Sequence, residues 1–284
     1  MTTNPGPDAV AEADRRFRLW MRQNLDRAAV HFGLTVTDEP VFGWRDRSIG
    51  APVDSPHGLR WLRVVSEQPQ WAHGHGWTGN TDANELRDVP KPRVLGVYEW
   101  SEGEWRQQRA EVMTLLPGVL CSPTDTAQPG LDLPRIWWLD LQRALQHLAG
   151  ASTDRVSIDQ DKVDRRVHAA FGNEVVIRVQ RWETVHGDLH WANLLNPLAI
   201  LDWELWGQGP VGTDAATLYC YSLTAPDLAQ KVRDHFPILD TLDGHRAQLY
   251  AAARLLHRAH LGDHPHLTEP LRKHTQRLLR DTSM

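Results

Sequence analysis

The stretch VHGDLHWANLL, Val185–Leu195, followed by AILDWE, Ala199–Glu204, decides the fold. It sets an acid, an amide and a second acid at Asp188, Asn193 and Asp202, and apolar residues flank Asn193 and Asp202 on both sides. Phosphoryl transfer from a nucleotide needs this combination: one carboxylate to orient a hydroxyl nucleophile, and oxygen ligands to hold Mg²⁺ on the phosphates. At ordinary residue frequencies, H-G-D-x4-N arises by chance in about one chain in a thousand of this length. A polar turn between two strands would not require it.

Working outward, the Asn196-Pro197 pair punctuates two short expected strands, Leu194-Leu195 and 199–201. Amphipathic spacing predicts helices at 134–148 and 161–171, and further helices at 213–222, 226–235, 243–260 and 267–280. Before Pro117-Gly118 the pattern is strand-like at 41–53, 58–65, 93–100 and 105–116. A Gly-rich loop is expected at 73–80 and a short helix at 82–87. A first helix is expected at 8–31, with Phe17, Trp20, Met21, Ala28 and Phe32 near one stripe, after a disordered start at 1–8. The chain therefore reads as α+β in three parts: a tail and helix at 1–34, a β-rich lobe at 35–116 and a helical lobe at 117–284.

Composition narrows the class. Apolar residues make up 41% and charged residues 24%, as in ordinary globular chains, and 284 residues suit two lobes sharing a cleft. No apolar run approaches the roughly 20 residues that span a bilayer. The start, 1–13, is polar and acidic rather than signal-like. With only Cys121 and Cys220, set among apolar or small neighbours, buried free thiols and a cytoplasmic location are expected. A net charge of -5 argues against a general nucleic-acid binder. Of the 13 tryptophans, Trp191, Trp203 and Trp206 flank the motif, as core filler or as a stacking surface.

The motif H-G-D-L-H-W-A-N-L-L with I-L-D-W-E resembles the signature of the aminoglycoside phosphotransferases, relatives of the protein kinases. The resemblance implies a protein-kinase-like two-lobe fold with a five-stranded N-lobe sheet, a hinge and a mainly helical C-lobe. It implies Asp188 as the catalytic aspartate, Asn193 and Asp202 as Mg²⁺ ligands, and His186 as a brace of the loop. Asp214, in Thr213-Asp214-Ala215, would buttress that loop. The hinge would be 113–118, with the backbone around Leu116 holding adenine. His190 and Glu204 are supporting candidates toward substrate or metal.

The N-lobe departs from this pattern. Kinase-like folds place a Lys on the third strand to grip the nucleotide phosphates, but no Lys occurs before Lys91. Arg63, in W-L-R-V-V, is the positional substitute, with Glu85 as its candidate helix partner and a plain strand position as the alternative. Ser48-Ile49-Gly50 is the candidate phosphate-covering turn. Asp202 follows Asn193 by only nine positions, and W-G-Q-G-P-V-G comes next in place of D-F-G and an activation segment. That favours a small-molecule acceptor over a protein.

The expected reaction is Mg²⁺-dependent transfer of the γ-phosphate of ATP or GTP to a hydroxylated antibiotic or metabolite, by a monomer or dimer, with no nucleic-acid or membrane partner. The alternative is a catalytically inactive kinase-like protein that binds a nucleotide or a partner. From Glu204 onward nine acidic residues face nine Lys and Arg, so composition lends no support to a polycationic acceptor. Zinc at His186 and His190, or at His73, His75 and the group His257, His260, His264 and His266, is the weaker reading beside solvated histidines.

Overall fold

In the computed structural model, which describes residues 7–281, the first amphipathic stripe forms helix α1, Pro7–Phe32. The disorder expected for 1–8 lies, over 1–6, outside the described residues. Strands β1 (Thr35–Val36), β2 (Val41–Phe42), β3 (Ser48–Asp54) and β4 (Arg60–Glu67) follow. Then come helix α2 (His75–Asp82) and strands β5 (Val94–Glu102) and β6 (Arg106–Thr114). All pairings are antiparallel, in the order β1-β3-β4-β6-β5 with β2 also on β3.

Because successive strand residues point to opposite faces, Ile49, Ala51, Val53, Leu62, Val64, Ala110 and Val112 share one face. There they pack with Met21, Leu25, Ala28 and Ala29 of α1. Burying a Met or Leu side chain contributes about 1.5–3 kcal/mol, so the stripe that makes α1 amphipathic also seats it on the sheet.

The other face carries a cluster of charges among apolar residues, and its register explains how. Gly50, Arg63, Glu111 and Val97 form one row across β3, β4, β6 and β5; Val65, Arg109 and Glu99 form the next. Directly opposed residues of unlike charge therefore meet. Arg109 Nε donates to Glu111 Oε1 at 2.9 Å, Arg109 also pairs with Glu99, and Arg63 Nη1 lies 3.6 Å from Glu111 Oε2. Helix α2 completes the set: Asn80 Nδ2 donates to Glu111 at 2.8 Å and the Trp77 indole to Glu99 at 2.9 Å.

That helix corrects two expectations. The Gly-rich segment read as a loop at 73–80 is helical from His75, and the helix expected at 82–87 is a single tight turn, Ala83–Glu85. Burial of Trp77 and Asn80 overrides the poor helix propensity of glycine.

A second unit comprises 117–281 together with 85–91, while α1 belongs to the first unit with 92–116 rather than forming a part of its own. It carries β7 (Val119–Leu120), α3 (Arg135–Ala149), α4 (Gln160–Phe171), β8 (Trp182–Val185), β9 (Leu194–Asn196), β10 (Ala199–Ile200) and β11 (Gly207–Pro210). Helices α5 (Thr213–Tyr221), α6 (Pro226–His235), α7 (Leu242–His260) and α8 (Thr268–Asp281) complete it. Strands β10-β9-β7 form one small sheet and β11-β8 another. Asp159 caps α4 by accepting from Lys162 N at 2.7 Å, and Thr241 caps α7 by accepting from Gly244 N at 3.1 Å. Helix α7 packs against α4, α5 and α8, with Leu249, Tyr250 and Ala253 meeting Val163 and Val167. Both cysteines are free and buried. Among the described residues, no helix is long and apolar enough to cross a membrane.

The charged rows give a stability prediction. Replacing Glu111 by Leu leaves two arginines facing an apolar side chain, so denaturant unfolding should show a loss of about 3–5 kcal/mol. A loss under about 1 kcal/mol would mean that the rows are not held by charge.

Candidate active site

The loop from β8 to β9 is built on buried Asp214 of α5. Its carboxylate accepts the backbone N–H groups of His186 at 2.7 Å and Gly187 at 3.0 Å. Burial pushes this carboxyl upward, while His186 and the two amides oppose that. Gly187 has φ +82, and a Cβ there would sit 2.5 Å from the Leu205 carbonyl oxygen, so only glycine makes the turn. His186 is fully buried, which lowers its pKa and keeps the ring neutral. Its Nε2 donates to the Leu201 carbonyl at 2.8 Å, and its Nδ1 accepts from Asp188 N at 3.3 Å.

These contacts hold Asp188 from its backbone. Its carbonyl accepts from Asn193 Nδ2 at 3.1 Å. Its carboxylate Oδ1 is paired with Arg254 of α7, which also donates to the Gly187 carbonyl. Burial disfavours the charge, but Arg254, with Arg258, outweighs it and holds the carboxyl at about 2. Oδ2 has no hydrogen bond or ion pair among the described residues, so one oxygen is clamped and the other can accept a hydroxyl proton.

The β9–β10 hairpin brings the two other motif residues together. Ile200 pairs with Leu194, and Leu201 N donates to the Asn193 carbonyl at 2.8 Å, which sets Asp202 just beyond Asn193 at the open end. Asp202 is exposed with φ +58, an uncommon conformation outside glycine that Asp tolerates better than most. Trp203 anchors the turn, its indole donating to the Ile200 carbonyl at 2.8 Å. Asn193 Nδ2 also lies 3.1 Å from His190 Nε2, and burial lowers the pKa of His190 so that this nitrogen accepts. With its amide nitrogen committed, Asn193 is left with Oδ1. An amide oxygen and a carboxylate are hard donors that fit Mg²⁺. Glu204 is half-buried, and its backbone carbonyl accepts from Arg155 at 3.4 Å.

Three contributors were missed in the sequence. Asp125 precedes α3 and accepts from His264 Nε2 at 2.9 Å; Arg258 lies 3.5 Å away, and the Asp125 carbonyl accepts from Trp191 N at 3.2 Å. Arg254 and Arg258 stand four apart on α7, the spacing of one helical face. Two arginines at that spacing beside an apolar stripe were the available signal.

The aromatic expectation resolves toward the core. Trp191, Trp203 and Trp206 are 0–2% exposed and offer no stacking surface. Among the described residues no group of three or more His, Cys, Asp or Glu is placed to hold a metal.

In the first unit, Arg63 is mostly buried beside Glu111 rather than on an open strand face. The α2 residue nearest this pair is Asn80, while Glu85 is exposed in the turn after α2. Ser48-Ile49-Gly50 is strand, not turn: Gly50 lies beside the Trp61 indole, which a Cβ would approach to 2.8 Å. The turn lies before it, where Gly43 N donates to Ser48 O at 2.9 Å and Arg45 and Asp46 have φ 50 and 56. Leu116 is half-buried at the end of this unit.

No protein-family model and no curated protein matches the chain. Solved structures do. A thermostable mutant of aminoglycoside phosphotransferase APH(4)-Ia in its apo form is similar at 15% identity and TM-score 0.60, over 91% of this chain and 99% of that one. A ternary complex of such a mutant with AMP-PNP and hygromycin B is similar at 14% identity and TM-score 0.63, over 89% and 97%. An ethanolamine kinase of Plasmodium vivax is similar at 11% identity and TM-score 0.50, over 84% and 81%. The chain thus has the kinase-like fold of the aminoglycoside phosphotransferases and small-molecule kinases, with a β-sheet lobe and a helical lobe.

The clamp on Asp188 predicts a pH signature. Its carboxyl is held at about 2, below the ordinary 3.8, so the stabilisation is present above about pH 4 and lost as pH falls toward 2. Arg254→Met should therefore be less stable than the parent at neutral pH by about 3–5 kcal/mol, and the gap should narrow between pH 4 and 2. Urea midpoints across that range test it; a pH-independent gap would refute the pairing.

Proposed function

We propose that this protein transfers the γ-phosphoryl group of ATP or GTP to a hydroxyl of a small molecule, an antibiotic or a metabolite. The observation that carries the reading is the state of Asp188, with Oδ1 fixed by Arg254, Oδ2 open, and Asn193 and Asp202 assembled on the adjoining hairpin. Asp188 accepts the acceptor hydroxyl at Oδ2 and orients its oxygen toward phosphorus. Held at about 2, it works by positioning more than by taking the proton early, which suits a loose transition state. Asn193 and Asp202 would hold Mg²⁺, which would offset charge on the phosphate oxygens. His186 and Asp214 keep the loop in place, and Arg254 positions Asp188 through its carboxylate.

The acceptor is neutral rather than polycationic. The carboxylates around Asp188 are already engaged: Asp188 by Arg254, Asp125 by Arg258 and His264, and Asp263 by Arg258 at 3.4 Å. An ammonium would compete with these partners.

The test is Mg²⁺-dependent ADP or GDP release across a panel of hydroxylated compounds. Asp188→Asn should lower kcat by about 10²–10⁴ while retaining nucleotide affinity, the scale of a positioned base. Asp202→Ala should instead weaken Mg-nucleotide binding. Near-parental turnover in Asp188→Asn would reject the role, and tight nucleotide binding with no turnover on any acceptor would favour an inactive kinase-like protein.

A further inference from the structure

Helix α7 carries a second polar surface beside the one that meets Asp188. Arg254 and Arg258 serve the loop, whereas Ala253, Leu256, His257 and His260 line a groove of about 640 Å³ shared with α4 and α8. That volume lies within the range of small-molecule pockets.

The lining has two textures. Apolar surface comes from Phe171, Ala253, Leu256 and Leu279. The polar part sets neutral Thr268, Thr275 and Gln276 beside four basic groups, Arg166 from α4, His257 and His260 from α7, and Arg272 from α8, with no aspartate or glutamate lining the groove. Neither Arg166 nor Arg272 has a carboxylate partner among the described residues, in contrast to Arg254 and Arg258. The basic groups also crowd one another: desolvation, then Arg166 and His260, lower the pKa of His257. Arg166 and Arg272 thus bring two guanidinium groups without carboxylate partners from α4 and α8 to one partly apolar surface, which complements an anion with an apolar body.

We infer that the groove between α4, α7 and α8 binds an amphipathic organic anion, a carboxylate or phosphate ester on a hydrocarbon or aromatic body, with Arg166 and Arg272 as its charge partners. The anion meets the two guanidinium groups, and the apolar body covers Phe171, Leu256 and Leu279. This does not depend on the phosphotransferase reading, because it concerns binding.

The experiment is titration calorimetry on the full chain, below micellar concentrations, with octanoate and octyl phosphate as probes. Octanol, octyltrimethylammonium and inorganic phosphate are the comparisons. One or both octyl anions should bind at least tenfold more tightly than octanol and than inorganic phosphate, and which does so identifies the headgroup. Arg166→Gln/Arg272→Gln should weaken that binding at least tenfold. Arg272→Lys, on the exposed side of α8, should retain most of it. Ala169→Trp, which fills the groove, should abolish it with the circular dichroism spectrum unchanged. Equal binding of octanol and the anions, preference for the cation, or parental affinity in the double glutamine variant would overturn the assignment. So would inorganic phosphate binding as tightly as octyl phosphate while octanoate does not bind.

Discussion

A buried carboxylate keeps its charge most readily beside a fixed counter-charge, and the pairing of Asp188 with Arg254 is the contact on which the second unit's arrangement depends. It sets the rotation of α7, because Arg254 must reach both the Asp188 carboxylate and the Gly187 carbonyl. That rotation directs Leu249, Tyr250 and Ala253 toward α4 and places Arg258 beside Asp125 and Tyr221. One ion pair thereby links the loop, the central helix and the segment before α3.

Asp214 performs the complementary task on the backbone. Arg254 governs where a side chain points, whereas Asp214 governs the path of the chain by taking two consecutive N–H groups that the turn at Gly187 would otherwise leave without partners. His186 bridges the two ends of the motif, contacting Leu201 on one side and Asp188 on the other. Residues distant in sequence therefore define the positions of Asp188, Asn193 and Asp202 before any ligand arrives.

How much of this was legible in the sequence follows the range of the interactions. The loop and hairpin were readable because their determinants are local: Gly187 for the turn, Asn196-Pro197 between the strands, and the apolar flanks of Asn193 and Asp202. The helices from α3 to α8 were readable from periodicity. Arg254, Arg258 and Asp125 were not, since their meaning arises only when α7 crosses the loop. Helix α2 was misread because Gly74, Gly76 and Gly79 argue for a loop, while burial of Trp77 and Asn80 decides otherwise. Ser48 and Gly50 were read as turn residues because glycine suggests freedom, although Gly50 serves to admit the Trp61 indole. Glu111 supplies the carboxylate at Arg63 from the neighbouring strand, a partner that pairing register defines and sequence distance conceals.

The path of the chain carries one more consequence. Residues 85–91 belong to the second unit although they lie between α2 and β5 of the first, and Ile200 N donates to the Pro90 carbonyl at 2.8 Å. The polypeptide thus crosses between units at 84/85, 91/92 and 116/117. No single cut yields two intact pieces: a fragment beginning at Pro117 lacks the strip that satisfies Ile200. During synthesis, that strip emerges before any of the unit it joins, and β5 and β6 must follow before the first sheet closes. The two units are interleaved in their making as well as in their sequence.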